Sequence, residues 1–211
     1  MEHLLALYKK PYNPKQPVVC ADEKSKQLLA HKRLPLSASA GKPKRTDYEY
    51  KRTGVRNIFV AVEPKAGYRN VSVTKRRTNQ DFARFIRQLL MEHYSDVKKL
   101  HLVVDNLNTH FEKSFFETFS QTEAKALLKK IKFHYTPKHA SWLNMAEIEI
   151  NVLLSQALKQ RIPTEERMAA IVKAWQTGRN RRREKINWKF TVKDARKKFK
   201  YEPFHPTKLN K

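Results

Sequence analysis

The chain has 211 residues, enough for one medium-sized domain with a buried core, and its 40% hydrophobic and 10% aromatic content excludes wholesale disorder. Its 45 Lys and Arg against 20 Asp and Glu give a formal charge of +25, which suits a polyanionic partner, because neutralising phosphates releases condensed counterions. No run approaches the roughly 20 apolar residues of a membrane span and no signal-peptide pattern opens the chain, so a cytoplasmic protein is expected, with a ribosome-type or membrane-surface binder as the bland alternative.

In chain order, residues 1–16 carry Pro11 and Pro14 among lysines and read as an extended entry arm. Val18 to Asp22 reads as a short buried strand ending in an acid. Its Cys20 is the single cysteine, which leaves no internal disulfide and no cysteine-cluster zinc site. Residues 24–54 interrupt the apolar pattern. Lys42, Lys44, Arg45, Lys51 and Arg52 make this stretch a loop or small hairpin facing nucleic acid, with a solvated insertion as the alternative.

Strand-like runs follow at Asn57 to Val62 and Tyr68 to Thr74, joined by a Pro64 and Gly67 turn. In Asn79 to His93 the apolar Phe82, Phe85, Ile86, Leu89 and Leu90 fall at helical spacing. Leu100 to Val104 is a further short strand, ending in Asp105, after which 114–130 reads as helix and Ile131 to Tyr135 as a fifth strand. Pro137 breaks the chain before a helix starting near Asn144, and a last helix carries Met168, Ile171, Val172 and Trp175 on one face. The basic runs Arg179, Arg181, Arg182, Arg183, Lys185 and Arg196, Lys197, Lys198, Lys200 then track a phosphate backbone or form a solvated face. A hairpin-led sheet followed by alternating strands and helices implies an α/β fold with a mixed five-stranded sheet flanked by helices.

Asp22 and Asp105 each terminate a predicted strand, and strand ends at a sheet's edge are where sites form. Two glutamates compete for a third position. At about 100° per residue, Ile150, Leu153, Leu154, Ala157 and Leu158 form one apolar face, with Glu147 inside its edge and Glu149 well outside it. Glu147 is therefore expected toward the sheet and Glu149 toward solvent. Three gathered carboxylates would repel one another unless divalent cations neutralised them, and hard oxygen ligands suit Mg2+ or Mn2+. Two such ions can activate a water or a 3'-hydroxyl and stabilise the leaving oxygen of a phosphodiester.

The segments Val19 to Ser25, Val103 to His110 and Tyr135 to Glu147 resemble the bacterial transposases of the insertion sequence 630 type, relatives of the mariner elements, in order from about Pro11 to Phe199. The resemblance implies a ribonuclease H-like fold and an Asp, Asp, Glu triad, carried here by Asp22, Asp105 and Glu147, with 41 residues between the last two. It implies catalysis with two Mg2+ or Mn2+ ions, cleavage of DNA at element ends, strand transfer into target DNA, and a homodimer in the DNA complex. It also gives supporting roles to Asn106, His110 and Asn144. Asn144 equally reads as a helix N-cap, Trp142 as a core residue, and His134 and His139 as surface residues or phosphate contacts.

The expected organisation is an arm over 1–16, a catalytic domain over 17–162 with its basic insertion at 24–54, and a C-terminal helix and basic tail over 163–211. The residues before Pro11 are too few for the helix-turn-helix module of that family, which another reading frame supplies or the element has lost. Two other readings stand beside this one: a ribonuclease H or junction resolvase, disfavoured by the lateness of Glu147, and an inactive DNA-binding relic.

Overall fold

β-Branched and aromatic runs separated by turn residues pair into one sheet. In the computed structural model, which describes residues 1–106 and 110–200, the strands are β1 (Val18–His31), β2 (Tyr50–Glu63), β3 (Tyr68–Thr74), β4 (Leu100–Val104) and β5 (Ile131–Tyr135). They lie in the order β3-β2-β1-β4-β5. β1, β2 and β3 pair antiparallel, while β4 joins β1 and β5 in parallel. The sheet is thus mixed and five-stranded, as expected. The last eleven residues of the anticipated basic tail, and Leu107, Asn108 and Thr109 of the second motif, lie outside the described residues.

Seven α-helices are described: α1 (Glu2–Lys9), α2 (Asn79–His93), α3 (Lys113–Phe116), α4 (Gln121–Lys130), α5 (Met145–Gln156), α6 (Glu165–Arg182) and α7 (Val192–Phe199). Alternation along the strands divides the sheet into two covered faces. Val19, Ala21, Phe59, Ala61, Leu102 and Val104 pack under α2. On the other face, Cys20, Val62 and Val103 meet α1 and the start of α5, while Ile58 and Val60 meet the rest of α5 and α6. The helix expected over 114–130 is two helices, because Ser120 caps α4 by accepting from the Glu123 amide and ends the preceding turn.

Three expectations change. β1 does not stop at Asp22 but runs on to His31, paired with β2 along its length. Most of 24–31 and 50–54 is therefore strand, and residues 32–49 form the tip, held by bridges between Leu36 and Arg45 and between Ser39 and Lys42. Backbone pairing carries most of this extension, anchored by Leu28, which is buried among Ile150, Leu153 and Leu158, while Lys24, Lys26, Thr53 and Gly54 give no apolar alternation to read. The arm over 1–16 is likewise not extended throughout. Residues 2–9 form α1, whose Leu4, Leu5, Leu7 and Tyr8 are buried with Cys20, Val103 and Ala195. The C-terminal stretch is also structured, since Thr191 and Asp194 form a capping box that starts α7, and the backbone at Arg183 packs against the β2–β3 turn. A Cβ at Gly67, which has φ of +69°, would come within 2.3 Å of the Arg183 carbonyl oxygen.

The third correction concerns α5. Glu149 does not face solvent: it is fully buried, whereas Ile148 is 39% exposed. Its carboxylate sits between Arg69 of β3 and Arg179 of α6. Arg179 donates to it through Nε at 2.8 Å and Nη2 at 3.3 Å, and Arg69 Nε makes an ion-pair contact at 2.7 Å. Arg69 also donates to the carbonyls of Gly67 and Glu184. α5 packs against the sheet on one side and meets β3 and α6 on another, so a one-face apolar pattern misjudges which residues go inside. Removing one partner of a buried pair costs about 3–5 kcal/mol. Glu149→Ala is accordingly expected to lower stability by about that amount in urea unfolding, and Ile148→Ala by under about 0.5 kcal/mol; equal losses would contradict this account of α5.

Candidate active site

The parallel register of β1 on β4 pairs Val18 with His101, Val19 with Leu102 and Cys20 with Val103. Continued by two residues, it sets Asp22 opposite Asp105. Alternation puts Asp22 on the face of Cys20 and Asp105 on the face of Val103, the face covered by α5. Asp105 follows directly on β4 as expected, while Asp22 lies within β1, where β4 leaves its side. Burial and the nearby Asp105 carboxylate raise the Asp22 carboxyl to about 7, against the effect of the Glu23 amide that donates to its Oδ1 at 2.8 Å.

Glu147 occupies the first turn of α5 and is half-buried. Asn144 brings that turn to the strand. Its Oδ1 accepts from the Ala146 amide at 3.2 Å, capping the helix, and its Nδ2 donates to the Ala21 carbonyl at 2.8 Å, beside Asp22. Asn144 is fully buried, so neither bond competes with water.

His110 is fully buried between two carboxylates. Its Nε2 lies 2.9 Å from Glu23 Oε2 and its Nδ1 2.6 Å from Asp105 Oδ1, the second a close ion-pair contact and not an aligned hydrogen bond. Burial disfavours the charged ring, but the two carboxylates outweigh it and hold the pKa up at about 9. Both nitrogens then carry protons. Asn106 is exposed. Trp142 is 39% exposed and stacks on Trp188 with ring centroids 6.4 Å apart. His134 lies against His101, with ring nitrogens 2.9 Å apart, and burial and that neighbour push it down to about 4.

The basic residues separate into two groups. Lys42, Lys44, Arg45, Lys51 and Arg52 are all exposed on the β1–β2 arm, and Arg181, Arg182 and Arg183 are exposed at the end of α6. Arg179 is 7% exposed and bound to Glu149, so it is not free to meet a phosphate. Two residues of the site escaped the sequence reading. Glu23 was only a neighbour of Asp22 in its motif, and Arg77, 3.7 Å from Glu23 Oε1, belongs to an exposed Lys75 to Arg77 run that carried no periodic signal.

A hard divalent cation fits this donor set, because it would offset both the burial and the Asp105 repulsion that raise Asp22 and would take carboxylate oxygens. Asp22 and Asp105 form the pair. Glu147 does not join it at ligating distance: among the described residues, no three His, Cys, Asp or Glu side chains stand close enough together to hold one ion.

The sequence model of the DDE superfamily endonucleases matches residues 17–169. No curated protein matches the sequence. Among solved structures, the chain is similar to the Mos1 mariner paired end complex with Mn, with a TM-score of 0.54 at 17% identity over 87% of this chain and 55% of that one. It is similar to the Mos1 transposase paired-end complex with left transposon end, with a TM-score of 0.57 at 15% identity over 86% and 55%. A pre-cleavage Mos1 transpososome gives 0.54 at 15% identity over 89% and 61%. The chain thus spans little more than half of those proteins, and the likeness is one of fold, the ribonuclease H-like arrangement.

Asn144 links α5 to β1 by two separable bonds. Asn144→Ala is expected to cost roughly 1–3 kcal/mol in chemical unfolding, with Asn144→Ser recovering only the capping share. Full recovery by Ser would show that the bond to Ala21 contributes nothing.

Proposed function

The chain belongs to the DDE superfamily endonucleases, and from that we propose that it is the catalytic part of a DNA transposase that cuts element ends and joins them to target DNA. The observation that carries the proposal is the juxtaposition of Asp22, within β1, and Asp105, directly after the parallel β4, near the helix whose first turn bears Glu147. Within this reading Asp22, Asp105 and Glu147 hold divalent cations, Mg2+ or Mn2+, two per site, with Glu147 closing on the aspartate pair when they bind. Bound cations would supply an activated water or 3'-hydroxyl and a stabilised leaving oxygen. The similar Mos1 complex with Mn agrees with that choice of metal.

The remaining work falls to the protein's own groups. Asn144 holds the first turn of α5 against β1, and His110 fixes the Asp105 carboxylate. The exposed cations of the β1–β2 arm and of Arg181 to Arg183 hold the DNA backbone without reading bases. Asn106, exposed directly after Asp105, is a contact for the scissile phosphate. Element ends carrying terminal inverted repeats and target DNA are the substrates, and two copies of the chain act together on paired ends in the cytoplasm. No helix among the described residues is long and apolar enough to cross a membrane.

The test is cleavage of an end-containing duplex with Mg2+ or Mn2+. Asp22→Asn, Asp105→Asn and Glu147→Gln are each expected to abolish it, and cleavage surviving in all three would sink the proposal. Binding to duplex DNA offers a second check. Lys44→Ala and Arg181→Ala are each expected to reduce the slope of log affinity against log salt by about 1, uniformly across sequences. An unchanged slope removes that residue from the interface.

A further inference from the structure

We propose that Glu23 is a positioning residue whose side chain fixes Asp105 of the site through the buried His110 ring. The proposal rests on the reading of Asp22 and Asp105 as cation ligands and adds a residue that touches neither cation nor DNA. Glu23 directly follows Asp22 in β1, so its side chain takes the opposite face of the sheet, toward α2. There it is almost wholly enclosed, with 2% of its side chain exposed.

Three contacts converge on this residue. Its amide donates to Asp22 Oδ1 at 2.8 Å. Its Oε2 meets His110 Nε2 at 2.9 Å, and the other ring nitrogen lies 2.6 Å from Asp105 Oδ1. Its Oε1 faces Arg77 at 3.7 Å, at the exposed end of the chain of groups. The ring also packs on Phe82 of α2, with centroids 4.6 Å apart, which limits the rotation left to it. Asp105 stands just past the end of β4, beyond the last pair of the β1–β4 ladder, and the His110 ring, packed on Phe82 of α2, reaches its carboxylate from that side.

A merely structural origin accounts poorly for this arrangement. Buried ion pairs are often replaceable by apolar groups without loss of stability, and Phe82, Phe115 and Ala83 already fill the surrounding core. What an apolar replacement cannot do is hold one carboxylate in a single orientation. A group held against a metal ligand from behind, as the His110 ring is against Asp105 by its 2.6 Å ion-pair contact, limits that ligand's direction, and losing such an outer-shell partner typically costs 10–100-fold in metal affinity or activity.

The experiment is calorimetric titration of the DNA-free chain with Mn2+, with thermal melting run on the same samples. Glu23→Gln, which keeps an acceptor for the ring, is expected to bind Mn2+ about 10-fold more weakly than wild type, and Glu23→Ala nearer 100-fold. Their cleavage should recover as Mn2+ is raised, which marks lost ligand geometry and not lost fold. A folded Glu23 variant that binds Mn2+ like the wild type overturns the proposal. If Asp105→Asn also binds like the wild type, or the wild type takes up no Mn2+, it is the ligand reading that fails. Should neither Glu23 variant fold, imidazole nitrogen NMR of the wild type decides. Slowly exchanging protons on both His110 nitrogens support the proposal, and a freely exchanging Nε2 proton refutes it.

Discussion

The parallel pairing of β1 with β4 is the constraint on which the site depends. Residues far apart in sequence become register partners through three ladder positions, Val18 with His101, Val19 with Leu102 and Cys20 with Val103. Because the ladder stops there, the two strands deliver one carboxylate each to the same edge and face with no further hydrogen bond between them. Burial first and the neighbouring Asp105 carboxylate second make the charged form of Asp22 costly there. Central buried strands such as β1 and β4 tolerate this only because the surrounding core over-determines their position. A slip of one residue would carry every side chain to the wrong face.

The second requirement is that α5 arrive with one side turned toward that edge. Two devices set its position and rotation. Asn144 fixes the start of the helix to Ala21, and the Glu149 carboxylate, gripped by Arg69 and Arg179, fixes the azimuth two residues beyond Glu147. Packing of apolar residues alone would leave rotational freedom in a helix whose buried apolar side chains are only Met145, Ala146, Ile150 and Leu153. Directional charged contacts to β3 and α6 select one rotation.

Much of this architecture was legible. The five strands, the α2 apolar stripe and the acids at 22 and 105 follow from period and chain punctuation, because each buried strand is a short run of apolar residues. The long β1–β2 arm was not, since its outer half is mostly polar and held largely by backbone pairing, and the one fully buried side chain there, Leu28, makes no alternating run that would mark a strand. α1 was not, because an eight-residue helix is stabilised by the packing of Leu4, Leu5, Leu7 and Tyr8 on the sheet and not by local sequence, and Pro11 and Pro14 after it read as extended chain. The choice between Glu147 and Glu149 shows the limit most sharply. Of the two, the glutamate that is fully buried against cations is Glu149, and those cations are arginines from β3 and α6. No local pattern announces partners 80 residues before or 30 after.

Burial also changes what the net charge means. Asp22, Glu23, Glu63 and Glu149 are buried acids, while Arg69 and Arg179 are the buried arginines among the described residues. Folding therefore withdraws more acid than base from the solvent layer, and the exposed surface is more basic than a formal +25 implies. Such a surface draws a polyanion at long range, yet the edge between β1 and β4 carries two carboxylates that would repel a phosphate on arrival. Attraction over the surface and repulsion at one point can be reconciled by cations at that point, where carboxylate and phosphate oxygens would share them. Under the proposed function the basic surface and the acidic edge would be two parts of one arrangement, the first gathering the nucleic acid and the second holding the cations over which a phosphate would sit.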